Sequence, residues 1–469
     1  MLVQDQTNWK LSRYTSVVDL GSGDLLLHQS YMGGVVWVAA ENAHLIYSLI
    51  KERDNNNELD RRIHGPSGYE YLNRNDALPE NILPNRQEKS VLNQLFQTGF
   101  LIPEDLPEEE IVRQSIQQER ERGFHLIVLP HENCNFRCDY CYETFERGKM
   151  KKEIVQGLKT FINEKIPKIE SLSVSWFGGE PLLARKIIYD LSDSFIERCQ
   201  RVGISYKSSI TTNAYLLKPE VAKALLKREV RNYQITLDGA EEFHNKSRKL
   251  AGGGGTYQEI IKNLYAMKQI DEEYSVRLRV NFTPANNHSI PSLIEDIKPL
   301  LLNDQRFYLA FHPVGKWGGP NDQSLEVCDA KSAETIKLDY MHKTMNLGSS
   351  ARVAREGLSP HGKVCYAGRA SSIVVGSDGK VYKCTVAFED PRNQVGRLTD
   401  KGKLLVNEKR WKLWTSLDGQ NTTKCQSCAF HPVCQSKSCP LTAMDYQEPQ
   451  CPMSEEEYAA MVQLSALAG

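Results

Sequence analysis

The chain has 469 residues, enough for roughly two to four domains, and its 58 Lys plus Arg against 59 Asp plus Glu leave a formal charge of −1. That balance excludes an overall electrostatic drive toward nucleic acid or an anionic membrane. No apolar run approaches a membrane span, and the start, Met1-Leu-Val-Gln-Asp-Gln, lacks the plan of a signal peptide, so a cytoplasmic location is expected. Thiols stay reduced there, and twelve cysteines then call for metal or catalysis.

In chain order, Tyr14 to Leu20 and Asp24 to Gln29 are apolar runs joined by Gly21-Ser-Gly23, a hairpin signal, and Gly34 to Ala39 is a third. Leu45, Ile46, Leu49 and Ile50 repeat at helical spacing, as do Val91, Leu92, Leu95 and Phe96 before a stop at Gly99. Between them the polar stretch 54–85 reads as an exposed insertion. Hairpin plus helices is the composition of a small winged-helix-like unit. A largely solvated helix from about Pro107 to Arg122 follows as a connector.

From Phe124 strands and helices alternate. Strands are predicted at 124–129, 171–177, 206–212, 233–237, 276–283 and 307–314, with helices near 153–166, 184–202, 219–228, 257–270 and 290–302. Six strands separated by helices imply an α/β fold with a parallel sheet curled into a partial barrel, whose functional end is the carboxyl end of its strands.

Several polar motifs fall at that end. After the first strand come Cys134, Cys138 and Cys141 at C-x3-C-x2-C spacing. Three thiolates on one loop can hold three irons of a [4Fe–4S] cube and leave the fourth open for a ligand. A zinc site short of one ligand, or three unrelated buried cysteines, are the plainer readings. Gly178-Gly179-Glu180-Pro181 follows the second strand. Its glycines would let a ligand approach the backbone, and its glutamate can accept from an ammonium group. Thr211-Thr212-Asn213 and Thr236-Leu-Asp238-Gly239 end the next two strands and can bond a ribose or carboxylate, or cap helices through Asn213 and Asp238. Gly252 to Gly255 lacks the Lys-Ser/Thr of a phosphate loop and reads as a flexible connector. Trp317, in Gly315-Lys-Trp-Gly-Gly319, lines the barrel mouth or packs.

Seven cysteines lie between 365 and 451: Cys365, then Cys384 after a hairpin pattern at 372–383, then Cys425, Cys428, Cys434, Cys439 and Cys451. A zinc ribbon on Cys425, Cys428 and His431 or Cys434 is one reading, but seven cysteines exceed one zinc site. Cys199 and Cys328 stand alone and read as buried hydrophobes.

The Cys134–Cys138–Cys141 loop, with Tyr140 before the third cysteine and Gly178-Gly179-Glu180 one strand later, resembles the radical S-adenosylmethionine superfamily over residues from about 124 to 315. The resemblance implies S-adenosylmethionine bound at the open iron and cleaved to a 5′-deoxyadenosyl radical that abstracts hydrogen. It implies Glu180 at the methionine amine, with Gly178 and Gly179 beside it, and the Tyr140 backbone near the adenine. Thr212, Asn213, Thr236 and Asp238 are then expected near the ribose or methionine carboxylate.

The distal cysteines are similar to the SPASM extension of that superfamily, through Gly379-x4-Cys384 and Cys425-x2-Cys428-x5-Cys434, although Cys434-x4-Cys439 is one residue longer than usual. This implies three [4Fe–4S] clusters in all. Cys425, Cys428, Cys434 and Cys451 would ligate one auxiliary cube fully, and Cys365, Cys384 and Cys439 would leave the other one ligand short unless Cys328 folds in. An open, thiophilic iron there suits a substrate thiolate, hence thioether formation.

The expected plan is therefore a peptide-recognition domain at 1–106, a connector at 107–122, the radical domain at 123–325, a bridging helical region at 326–359 and a SPASM domain at 360–469. The first domain resembles the leader-binding unit of ribosomal-peptide maturases, which takes a leader as an added strand. The expected partners are a precursor peptide with its leader and an electron donor such as flavodoxin or ferredoxin, with no nucleic acid or membrane. Formylglycine formation, as in sulfatase maturation, and carbon–carbon crosslinking are the alternative reactions. A non-catalytic iron–sulfur or zinc-binding protein is the alternative of another class. His312 and Glu180 are conceivable general bases.

Overall fold

In the computed structural model, which describes residues 9–50, 69–71, 86–301, 304–416 and 423–466, the first hairpin signals become short antiparallel strands. They are β1 (Trp9–Leu11), β2 (Thr15–Asp19), β3 (Leu25–Gln29), β4 (Gly34–Val38), β5 (Tyr69–Tyr71) and β6 (Leu101–Pro103). One sheet runs β4-β3-β2-β5, and β1 pairs with β6. The expected insertion 54–85 lies outside the described residues except for β5, which pairs with β2. Val17, Leu25, Leu27 and Val38 meet Ile46 and Leu49 of the helix Ala43–Ile50, and Leu92 and Leu95 of the helix Arg86–Gln97, in one buried core.

By contacts the chain forms two compact units, neither continuous in sequence. The first takes residues 1–118, 350–365 and 417–469, and the second takes 119–349 and 366–416. Grouping in space thus cuts across the division read along the chain, since the last cysteine-rich segment shares a unit with the N-terminal sheet. Within that unit, buried His28 on β3 has Nδ1 2.6 Å from the Tyr458 hydroxyl and Nε2 3.2 Å from the Leu358 carbonyl.

Burial lowers the His28 pKa from 6.5 to about 4, so the imidazole is neutral in the fold. The unfolded chain binds a proton below about pH 6.5 that the folded chain refuses until about pH 4, so this stability is complete above about pH 6.5 and is lost as pH falls. Between about pH 7.5 and about pH 5 the wild type should lose about 2 kcal/mol more than His28→Gln. Urea unfolding at the two pH values measures this, and equal losses would contradict it.

The second unit holds β7 (Gly123–His131), β8 (Phe136–Cys138), β9 (Ser171–Gly178), β10 (Ser205–Thr212), β11 (Val230–Leu237), β12 (Arg248–Leu250), β13 (Ser275–Phe282), β14 (Phe307–Pro313), β15 (Ser372–Val375), β16 (Lys380–Tyr382), β17 (Gln394–Leu398) and β18 (Leu404–Val406). Six of them, β7-β9-β10-β11-β13-β14, are parallel neighbours. Their crossovers contain the helices Lys152–Lys165, Arg185–Val202, Pro219–Leu226, Tyr257–Lys268 and Ile290–Leu301. This is the expected partial (β/α)6 barrel.

Period-two patterning sorts the faces. Leu172, Val174 and Trp176 of β9 and Val276, Leu278 and Val280 of β13 are buried, whereas Ser173, Ser175, Arg277 and Arg279 alternate with them. A polar file crosses the alternate face: His125 Nε2 lies 2.9 Å from Ser175 Oγ, and Ser175 Oγ lies 2.8 Å from Ser209 Oγ.

The sheet does not end at β7. β15 pairs with it in parallel, from Ser372↔His125 to Val375↔Val128, and β16, β17 and β18 continue the sheet antiparallel. The hairpin expected at 372–383 is present, but its partner is the first barrel strand.

Candidate active site

The cysteine loop leaves the carboxyl end of β7 and is held by backbone on several sides. Cys138 lies at the end of β8, which pairs antiparallel with β12 through Arg248↔Cys138, Lys249↔Arg137 and Leu250↔Phe136. Asp139 N–H donates to Ser247 O at 3.0 Å and Ala251 N–H donates to Asn135 O at 2.8 Å, extending the clamp past both ends. Gly252 to Gly255, expected as a connector, is the exposed turn that follows β12. On another side Gly319 abuts the loop, where an added Cβ would stand 2.7 Å from the Cys141 carbonyl oxygen.

Gly178 and Gly179 serve the same packing. A Cβ on Gly178, whose φ is +123°, would lie 2.5 Å from His131 O, and one on Gly179 would lie 2.6 Å from Asn133 C and O. Glu180 N–H then donates to Asn133 O at 3.1 Å. The atoms these glycines admit on the Cβ side are backbone atoms of His131 and Asn133. A glycine pair reads the same in sequence whichever chain approaches it.

Two polar groups flank the thiols. In the first, buried Glu180 accepts from Leu182 N at 2.9 Å, Thr212 Oγ1 at 2.8 Å and Asn213 N at 2.8 Å. Asn213 Nδ2 donates to Asn135 Oδ1 at 2.8 Å and stands 3.7 Å from Cys134 Sγ. Glu180, Thr212, Asn213 and Cys134 are therefore one cluster of side chains.

In the second, Tyr140 Oη accepts from Arg248 Nη1 at 2.6 Å and from Asn281 Nδ2 at 3.0 Å, and Ser247 Oγ donates to Asp238 Oδ2 at 2.9 Å. Thr236 sits on β11 opposite Arg279 of β13, and His312 on β14 opposite Asn281. Neither Asn213 nor Asp238 caps a helix, because the helices that follow start from Lys218 and Ala240. Sequence reading missed Arg248, Asn281 and Arg279. Each sits on a strand, Arg248 on β12 and Arg279 and Asn281 on β13, with no local motif, and strand pairing brings it to the site.

Burial pushes the Cys134 and Cys141 thiols up to about 12, and raises Cys138 against the opposing pull of the Arg248 guanidinium. Burial likewise lifts Glu180 to about 7, although its three donors favour the charged form. Thiols in such a place ionise when a metal takes the proton's position. Phe136 N–H lies 3.3 Å from Cys134 Sγ, a contact of the kind that tunes an iron–sulfur centre. The donor set therefore fits a three-cysteine [4Fe–4S] cluster with an open iron.

Among the C-terminal cysteines, Cys434 is raised to about 12 by burial and by the nearby charges of Cys428, Cys425 and Cys451. These four belong to the first unit. Cys365 N–H donates to Lys437 O at 2.8 Å, which ties it to the segment leading to Cys439 in the same unit. Cys384 belongs to the second unit, where its N–H donates to Asn393 Oδ1 at 2.8 Å and its sulfur lies 3.4 Å from Val386 N. Cys328 is half-buried in the second unit beside Asp329, and Cys199 is buried. Among the described residues no three of His, Cys, Asp or Glu converge closely enough to hold one metal ion. A cube takes its thiolates at separate corners. Among the same residues no helix is long and apolar enough to cross a membrane.

Residues 128–297 match the Radical SAM superfamily. The chain is 25% identical over 335 residues to a cysteine-type anaerobic sulfatase-maturating enzyme of Clostridium novyi, covering 67% of this chain and 87% of that one. It is 25% identical over 251 residues to the radical SAM cyclopropyl synthase TigE of Paramaledivibacter caminithermalis, covering 43% and 52%. In fold it resembles native anSMEcpe, solved with bound AdoMet and Kp18Cys peptide, at a TM-score of 0.52 and 17% identity over 74% of this chain and 96% of that one.

Proposed function

We infer that this chain, a radical SAM enzyme by its domain at residues 128–297, modifies a precursor peptide by joining cysteine sulfur to a carbon of another residue. The superfamily's [4Fe–4S] cluster and S-adenosylmethionine supply, when bound, the radical that removes hydrogen from substrate. Cys134, Cys138 and Cys141 would hold that cluster, and Glu180, already fixed by three donors, would accept from the methionine ammonium. Asn213 and Arg248 stand beside the thiols to position the loop and balance its charge.

One observation carries the choice of reaction. Cys425, Cys428 and Cys451 lie near Cys434, and the SPASM resemblance then leaves Cys365, Cys384 and Cys439 as the ligands of a second cube, one short of four. An iron without a protein thiolate is where a substrate cysteine would bind. The leader would pair with β4, an edge strand whose Trp37 is 53% exposed.

Formylglycine formation is the second reading, favoured by the sulfatase-maturating relative. Anaerobic reaction with the precursor peptide separates the two. A thioether keeps the sulfur, removes two hydrogens per link and leaves that cysteine closed to alkylation. Loss of sulfur from the peptide would instead select formylglycine, and cysteines that remain alkylatable would sink the thioether.

A further inference from the structure

The antiparallel end of the second unit's sheet carries an exposed basic surface. From Arg397 on β17, through β18, to Lys412 on the helix Glu408–Thr415, six cations stand against two acids, in a chain whose formal charge is −1. They are Arg397, Lys401, Lys403, Lys409, Arg410 and Lys412, all exposed except half-buried Arg410. Among the described residues none of the six has an ion pair, whereas cations on other helices do, as in Lys159–Asp190, Arg201–Glu197 and Lys343–Asp339. Arg397 and Arg410 donate to backbone carbonyls instead, those of Asp378 at 3.3 Å and Gln394 at 2.9 Å. Leu405 and Leu413 lie among them, 56% and 38% exposed. Leu405 is the ladder partner of Arg397, and Lys409, Lys412 and Leu413 share one helix face.

Lysine near an edge strand keeps other strands from pairing with it, and β18 is the last strand of the sheet. That accounts for Lys403. It does not account for Arg397 on the inner strand, for the lysines on the helix, or for two leucines left in water beside them. Apolar side chains set among unpaired like charges suit a partner of opposite charge, which the cations steer and the leucines hold.

The surface backs onto a thiol site. Lys383 Nζ, in the residue before Cys384, lies 4.5 Å from the Trp411 ring centre. Trp414 Nε1 donates to Arg392 O at 2.9 Å, and the next residue, Asn393, accepts from the Cys384 N–H at 2.8 Å. A protein seated on this helix therefore stands over the segment that fixes Cys384, in the unit that also holds the Cys134 loop. Reductive cleavage of S-adenosylmethionine takes one electron from outside the chain. Redox encounters bury little area, so charge sets their rate.

We propose that this surface docks a small acidic one-electron carrier protein. The carrier leaves oxidised by one electron and the chain's iron–sulfur set is reduced by one, with no bond or proton transferred. The proposal rests on the reading of the chain as a radical SAM enzyme and not on which bond it forms in the peptide.

The test uses the full chain with its clusters reconstituted, no peptide, and an acidic flavodoxin as the carrier. Stopped-flow mixing with reduced flavodoxin gives the second-order rate of electron transfer, and surface plasmon resonance gives binding of the oxidised form. Lys403→Glu, Lys409→Glu and Lys412→Glu together should slow transfer and weaken binding about tenfold at low salt. The wild-type rate should fall as salt rises. Photoreduced 5-deazariboflavin, an uncharged reductant that needs no docking, should reduce both chains equally at equal iron content. The same reversal at exposed Lys218, Lys223 and Lys227, around the helix Pro219–Leu226, should cost less than about twofold. Equal flavodoxin rates in wild type and the first variant, a rate indifferent to salt, or an equal loss in the second variant overturns the proposal. So does weaker binding of the precursor peptide by the first variant at an unchanged flavodoxin rate, which would give the surface to the peptide. A flavodoxin effect without thioether product upholds the surface against the proposed reaction, and thioether product without a flavodoxin effect does the reverse.

Discussion

Replacing Cys134, Cys138 and Cys141 together by alanine is expected to reduce 5′-deoxyadenosine release to background and to remove about four irons per reconstituted chain. The fold should survive. The loop is held by the β8–β12 pairing, by the N–H groups of Asp139, Ala251 and Glu180, and by the close approach of Gly178 and Gly179, none of which uses sulfur. Circular dichroism should therefore match the wild type while iron and turnover fall. If radical release persisted, or all iron were lost together, the assignment of an independent cluster to this loop would be wrong.

Gly178→Ala should be nearly as damaging by a different route. Its φ of +123° lies where side chains are strained, at roughly 1–3 kcal/mol, and its Cβ would stand 2.5 Å from the His131 carbonyl oxygen. Overpacking against backbone adds roughly 1–3 kcal/mol, because no flexible side chain can yield. Together about 2–6 kcal/mol should appear in urea unfolding. Any loop that relaxes to escape the clash carries Cys134 away from Asn213. Iron content and turnover should fall even when the protein is purified folded. A variant within 0.5 kcal/mol of wild type at full iron would remove the packing argument.

The barrel was legible because each of its strands announces itself locally. Leu172, Val174 and Trp176 alternate with serines, and the six parallel strands lie within a few residues of their expected limits. The thiol loop and Glu180 were legible as motifs. What escaped depends on pairing between distant segments: β12 against β8, β15 against β7, and the joining of residues 350–365 and 417–469 to the N-terminal sheet. No local pattern states a partner, so the clamp made by Arg248 to Leu250 looked like the approach to a glycine linker. The auxiliary ligand sets rest on resemblance; the structure adds only that Cys425, Cys428 and Cys451 lie near Cys434.

The union of β15 with β7 also bears on how the protein is made. His125 and Ser372 are 247 residues apart, so as the chain leaves the ribosome the first barrel strand has an unsatisfied edge until β15 has also been made. Contacts of such high order fold slowly and expose a template for wrong pairing in the interval. Iron delivered to the Cys134 loop during that interval would meet a barrel still open on one side. A cluster loaded into a closed sheet edge therefore requires that β15 has been made and has paired with β7.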